Sequence, residues 1–199
     1  MLPKSNDDLG LERRLQAGND INKAQSLDKA KVAQINQAHI QASLVLQSAF
    51  GLRREEAIKF SPNIADKGDR IYLKGSWTKG GKPREIPIRN EQQRMALAQA
   101  KKAAGTGALI PRHLNFIQQL KCYENACSNV GLSKVHGLRH EYAQRRYFEL
   151  TGMESPKAGG LTSKSLSPEE KEIDRDARMV ISKELGHERE SITVTYLGR

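Results

Sequence analysis

Helical periodicity runs through almost the whole chain and gives way in one place only. Val32, Ile35, His39, Ala42, Leu46 and Ala49 recur at three- and four-residue steps, which predicts one long helix over residues 27–50 that stops at Gly51. LRREEAIKF restarts a short helix that should end before Pro62. Between residues 71 and 88 the period drops to two. Ile71 and Leu73, then Ile86 and Ile88, alternate with polar residues around the turn-forming GSWTKGGKPR. A small antiparallel β element of two or three strands is expected there. Helices then resume over residues 90–104, 113–130 and 136–150. TGMESPKAGGLTSKS reads as a loop. Behind it, Ser167-Pro168-Glu169-Glu170 spells an N-cap, a proline at the first helical position and a capping-box glutamate. The helix that follows shows Ile173, Ala177, Val180, Ile181 and Leu185 as an apolar face and stops at Gly186. The fold class is therefore mainly α with a small antiparallel β-sheet (α+β). There are no internal repeats. Residues 1–27 are polar and weakly patterned and read as a flexible lead or linker stub; residues 28–199 form one domain.

Composition narrows the partners. Lys and Arg number 33 against 23 Asp and Glu, a net charge of +10, which favours a polyanion such as nucleic acid, although a merely basic protein has the same balance. Cys122 and Cys127 stand in a C-x4-C spacing that suits neither a zinc ribbon nor a redox motif. They read as reduced, half-buried helix residues in a cytoplasmic protein. No apolar run is long enough to span a membrane, and MLPKSNDDLGLERR has no signal core. HExxH, paired CxxC and EF-hand patterns are absent, so no metal is expected. Gly75, Gly80, Gly81 and Lys82 come near a P-loop, but the extra glycine breaks the spacing and Pro83 replaces the hydroxyl.

A scattered cationic set remains. Arg53 lies in FGLRREE, Lys79 in the β-turn, and His136 and Arg139 in HGLRH, three residues apart on one helix face. His187 follows Gly186, and Tyr196 comes nine residues later in a short last helix. Singly, each has an ordinary reading: a solvated arginine, a surface histidine, a packing tyrosine with a wet hydroxyl.

In this order they resemble the catalytic domain of the tyrosine recombinases (phage integrases), which carry an Arg, a β-turn Lys, H-x-x-R, L-G-H and a later Tyr. Here these are Gly51-Leu52-Arg53 with Glu56, Lys79-Gly80, His136-Gly137-Leu138-Arg139-His140, Leu185-Gly186-His187 and Tyr196. The resemblance spans residues 28–199. It implies that Tyr196 attacks a DNA phosphodiester to form a 3′-phosphotyrosyl link. Arg53 and Arg139 would clamp the phosphate, Lys79 would protonate the leaving 5′-oxygen, and His136 and His187 would donate hydrogen bonds or shuttle protons. Glu56 would orient Arg53 or a neighbouring histidine, while Lys82, Arg84 and His140 would contact DNA. Exchanging one phosphoester for another roughly conserves bond energy, so no cofactor is expected. The partner is double-stranded DNA, held by a homo-tetramer in a full-length recombinase of a mobile element. The segment over residues 152–176 is longer than usual for the family and reads as an insertion. Only Leu197, Gly198 and Arg199 follow the tyrosine, so the chain is expected to be a catalytic domain cut from something larger and monomeric alone. Two rivals share some of the features: a type IB topoisomerase-like enzyme, and a non-catalytic DNA-binding remnant.

Overall fold

The computed structural model describes residues 21–199. The segment expected as one long helix is two. Helix α1, Lys29–Ala33, is capped by the Asp28 side chain accepting from Lys31 N, and α2 runs Ala38–Phe50. They part at residues 34–37, where the chain turns so that Val32 and Ile35 both stay buried. Gly51 closes α2 in the left-handed region, and α3 (Arg54–Ile58) follows. Helix α3 ends before Pro62 as expected, and Pro62 then opens the short α4, Pro62–Ala65, at a position where its missing N–H costs nothing.

The β element is a single hairpin of two strands. Strand β1 (Arg70–Leu73) pairs antiparallel with β2 (Arg84–Pro87), with Ile71 opposite Ile86. Both isoleucines point into the core, and Ile88 lies just beyond the ladder, its N–H donating to Asp69 O. Helices α5 (Glu91–Ala104), α6 (Phe116–Asn129), α7 (Gly137–Thr151) and α8 (Pro168–Glu184) follow. A 3-10 turn over Glu190–Thr193 leads into α9 (Val194–Leu197). Mainly helical with one small antiparallel sheet, the fold is α+β as expected. Among the described residues no helix is long and apolar enough to cross a membrane.

Three clusters make the core. One joins α2 to the hairpin and α5 through Leu46, Phe50, Ile71, Ile86 and Leu97. A second joins α1, the opposite side of α2, and α6 through Val32, Ile40, Leu44 and Tyr123. The third packs α7, α8 and α9 through Tyr142, Tyr147, Ile181, Leu185 and Leu197. α2 thus divides the first two, and α7 backs onto it. The capping box of α8 is formed as expected, with Ser167 and Glu170 bonded reciprocally.

The inward face of α8 differs from the one expected. Ala177, Ile181 and Leu185 are buried, but Ile173 and Val180 are exposed and Asp174 and Arg178 take the inner positions. The ion pair is tolerated because all its polar atoms but Arg178 Nη2 are hydrogen-bonded. Asp174 accepts from Arg178 Nε (2.8 Å) and from the Tyr147 hydroxyl (2.7 Å), and Arg178 Nη1 donates to Gly198 O (2.9 Å).

Of the flexible lead expected over residues 1–27, residues 1–20 lie outside the described residues. The rest has no regular secondary structure and is fastened to α7: Gln25 N donates to Gly137 O (3.1 Å), and the Asn22 and Gln144 amides bond reciprocally (3.2 and 2.8 Å). The segment over residues 152–176 is likewise no free flap. Its 3-10 turn, Pro156–Ala158, packs on α9, and its last nine residues from Pro168 are already the first turns of α8.

Candidate active site

Five segments distant in sequence meet around Tyr196. The first is the junction of α2 and α3. Gly51 has φ +63°, and a Cβ there would sit 2.5 Å from Cδ1 of the buried Tyr142, so both conformation and space demand glycine. The turn aims Gly51 O at Arg139, whose Nη1 donates to it (2.5 Å). Two residues on, Arg53 caps α3. Its N–H donates to Glu56 Oε2 (2.7 Å) and its Nη1 to Oε1 (2.9 Å).

Glu56 is fully buried and central. Besides Arg53 it receives both prongs of Arg84 from β2, at 2.8 and 2.7 Å. Burial alone would push this carboxyl up. The Arg84 hydrogen bonds and charge, helped by Arg139, outweigh it and hold Glu56 at about 2. Glu56 therefore holds Arg53 by two hydrogen bonds and also ties the hairpin to α3.

Helix α7 supplies the next group. His136 is its N-cap, and Arg139 sits one turn inside, 1% exposed. Arg139 Nε donates to the Tyr196 hydroxyl (3.1 Å), Nη1 to Gly51 O, and Nη2 to Leu185 O. Burial is the main influence pulling Arg139 down, to about 10, while Tyr196 and Glu56 favour its charged form. It therefore remains cationic at neutral pH. The third donor pair explains the L-G-H motif: Leu185 O is free at the end of α8, and Gly186 (φ +72°) turns the chain so that His187 faces Arg53.

Tyr196 is 6% exposed and ringed by histidines. Ring centres of His140, His187 and His136 lie 4.8, 6.4 and 6.5 Å away, and the Arg139 guanidinium lies 5.6 Å over the ring. All three histidines are pulled below the ordinary value. Burial comes first in each case, followed by Arg139 and Arg53 for His136 and His187 and by His136 and then Lys157 for His140; His140 and His187 fall to about 4. Arg53 Nη2 approaches His187 Nε2 at 3.4 Å, and since arginine has no acceptor, that nitrogen presents its lone pair. At neutral pH the imidazoles are thus neutral. Three guanidiniums (Arg53, Arg84, Arg139) face one carboxylate (Glu56), so the site carries net positive charge and suits an anion.

The expected residues divide as follows. Arg53, His136, Arg139, His187 and Tyr196 converge, with Glu56 beneath them. Lys79 is exposed in the hairpin turn and, among the described residues, makes no hydrogen bond or ion pair. Lys82 is exposed and pairs with Glu188. Arg84 and His140, expected to contact DNA, are placed differently. The Arg84 side chain is 8% exposed, gripped by Glu56 and donating from Nε to Glu184 O (2.9 Å). His140 is 2% exposed, its ring tilted against that of Tyr196. Sequence reasoning passed over Gln144, whose Nε2 donates to Tyr196 O (3.0 Å). A signal existed: His136, His140 and Gln144 recur every four residues along one face of α7.

Among curated proteins, none matches the chain. The family model described as Integrase matches residues 10–145, a stretch that holds Arg53, Lys79 and the HGLRH motif and stops before His187 and Tyr196. With two thirds of its length so matched and the fold to go with it, the chain belongs to the integrase family, that of the phage integrases and tyrosine recombinases.

Proposed function

We propose that this integrase cleaves and rejoins DNA as a site-specific recombinase, with Tyr196 as a nucleophile that forms a 3′-phosphotyrosyl intermediate. The observation that carries the reading is the hydrogen bond from Arg139 Nε to the Tyr196 hydroxyl (3.1 Å) inside a ring of neutral histidines. A guanidinium donating to a phenolic oxygen favours the developing phenolate. A neutral imidazole can accept the phenolic proton or donate an N–H to a phosphate oxygen.

In this mechanism the Tyr196 oxygen bonds to phosphorus and the bond from phosphorus to the 5′-oxygen breaks. Arg53, the more exposed of the two, stabilises charge on the non-bridging oxygens as the five-coordinate state forms, while Arg139 holds the Tyr196 oxygen as it attacks. Glu56 keeps Arg53 in place rather than touching DNA. Lys79 delivers a proton to the leaving 5′-oxygen from the exposed tip of the hairpin turn. Rejoining runs the same steps backward, with the 5′-hydroxyl as attacker.

Nicked duplexes with a randomised core trap the adduct, because the cleaved short fragment diffuses away. The wild type is expected to give an SDS-resistant protein–DNA band. Tyr196→Phe keeps the ring and its packing but removes the attacking oxygen, and should abolish the band. A band that persists in Tyr196→Phe would sink the assignment.

A further inference from the structure

Helix α9 has only four residues, too few to be stable by its own hydrogen bonds, yet it carries Tyr196. Its C-terminal carbonyls have no following turn to accept from. Three side chains from three different elements fill that role. Lys157 Nζ donates to Thr195 O (2.8 Å), Gln144 Nε2 to Tyr196 O (3.0 Å) and Arg178 Nη1 to Gly198 O (2.9 Å). Gln144 comes from α7, Arg178 from α8, and Lys157 from the 3-10 turn inside the long 152–166 loop.

The geometry points to a socket of donors in which Gln144, Lys157 and Arg178 are positioning residues for Tyr196, holding its helix by the backbone while Arg139 aims its hydroxyl. This assigns a role to the long loop: it reaches across to brace the tyrosine helix. The loop is itself tightly built for this. Gly160 lies against Glu154 O, where any side chain would collide, and Pro156 and Lys157 pack on Gly198. Gln144 also shares its amide with Asn22, so the lead is tied to the same point. The inference rests on the reading of Tyr196 as nucleophile.

Arg178 is a poor test residue, since its removal would leave Asp174 buried without its partner charge. Gln144→Met and Lys157→Met keep side-chain bulk and remove the donors, and Lys157→Arg retains one. The chain has five tyrosines, so uniform 3-fluorotyrosine labelling gives five fluorine lines, with Tyr196→Phe identifying the fifth. In both methionine variants the Tyr196 line should shift or split while the other four stay, and unfolding temperature should barely move. Adduct formation in a single turnover at saturating nicked duplex should fall about tenfold or more, because small misplacements of a reacting group are costly. Lys157→Arg should behave as wild type. An unmoved Tyr196 line in both methionine variants would overturn the socket. So would a moved line with an unaltered adduct rate, since the donors would then be structural only. A wild type that forms no adduct overturns the nucleophile reading instead, and the fluorine lines, which need no DNA, tell the two failures apart.

Discussion

Glu56 shows how one residue ties chemistry to stability. It is buried with no exposed surface, yet ionised, because Arg84 grips it with two hydrogen bonds and Arg53 adds a side-chain and a backbone donor. Burial opposes the charge and the arginines win, so its carboxyl sits near 2 against an ordinary 4.5. The sign follows directly. A depressed carboxyl contributes stability above about pH 4.5, and that contribution is lost as pH falls toward about 2. The difference corresponds to on the order of 3 kcal/mol. Glu56→Gln should therefore lower the urea midpoint at pH 7, and the gap from wild type should close between pH 4.5 and 2. A gap independent of pH would mean that the glutamate acts by shape alone. The histidines titrate earlier. His140 and His187 are held near 4, chiefly by burial and then by His136 and Arg139 respectively, against 6.5 when unfolded. Their neutral forms contribute stability above pH 6.5, and it is lost as pH falls through about 4, before Glu56 begins to protonate.

At the scale of elements, the joints matter more than the helices. The turn at Gly51 sends α3 away from α2 and at the same time offers its carbonyl to Arg139. A methyl group there would meet Tyr142 Cδ1 at 2.5 Å and Cγ at 2.8 Å, and that ring is itself 1% exposed, so it has nowhere to go. Left-handed backbone and overpacking together should cost Gly51→Ala about 2–4 kcal/mol. Since Arg53 and Arg139 both hang from this turn, adduct formation should fall with stability. Chemical denaturation and single-turnover cleavage of the same preparation check both; a fully stable Gly51→Ala protein would refute the packing argument. The hairpin joint is different. Its base is fixed by Arg84 on Glu56, while its tip carries Lys79 into solvent with no partner among the described residues. A firm base and an exposed tip suit the proton delivery proposed for Lys79.

Across the whole molecule, a net charge of +10 surrounds a site whose own groups sum to positive. Each phosphate neutralised on binding releases counterions, so affinity for duplex DNA should fall steeply with salt. Two side chains expected to touch DNA, Arg84 and His140, are buried in the protein, which leaves fewer groups at this face to read bases. We expect salt-steep binding with weak sequence preference, measured by titrating matched and scrambled duplexes at several ionic strengths. A flat salt dependence, or strong discrimination at physiological salt, would contradict it.

By itself the sequence determined the helical class, the hairpin at residues 71–88 and the α8 capping box. These are local: they depend on period, turn chemistry and spacing within a few residues. It could not separate α1 from α2, because both halves obey one helical period and the break is decided by what packs beneath Val32 and Ile35. Nor could it show that α8 buries Asp174 and Arg178 in place of Ile173 and Val180, since a charge is tolerated inside only when partners such as Tyr147 and Gly198 O arrive from elsewhere. The same holds at the site. The resemblance to the tyrosine recombinases, rather than spacing, singled out Arg53, Lys79, His136, Arg139, His187 and Tyr196 as a set, and whether an arginine faces DNA or a buried glutamate depends on a partner 28 residues away, as Arg84 and Glu56 show. Long-range hydrogen bonds carry that information, and only the folded chain makes them.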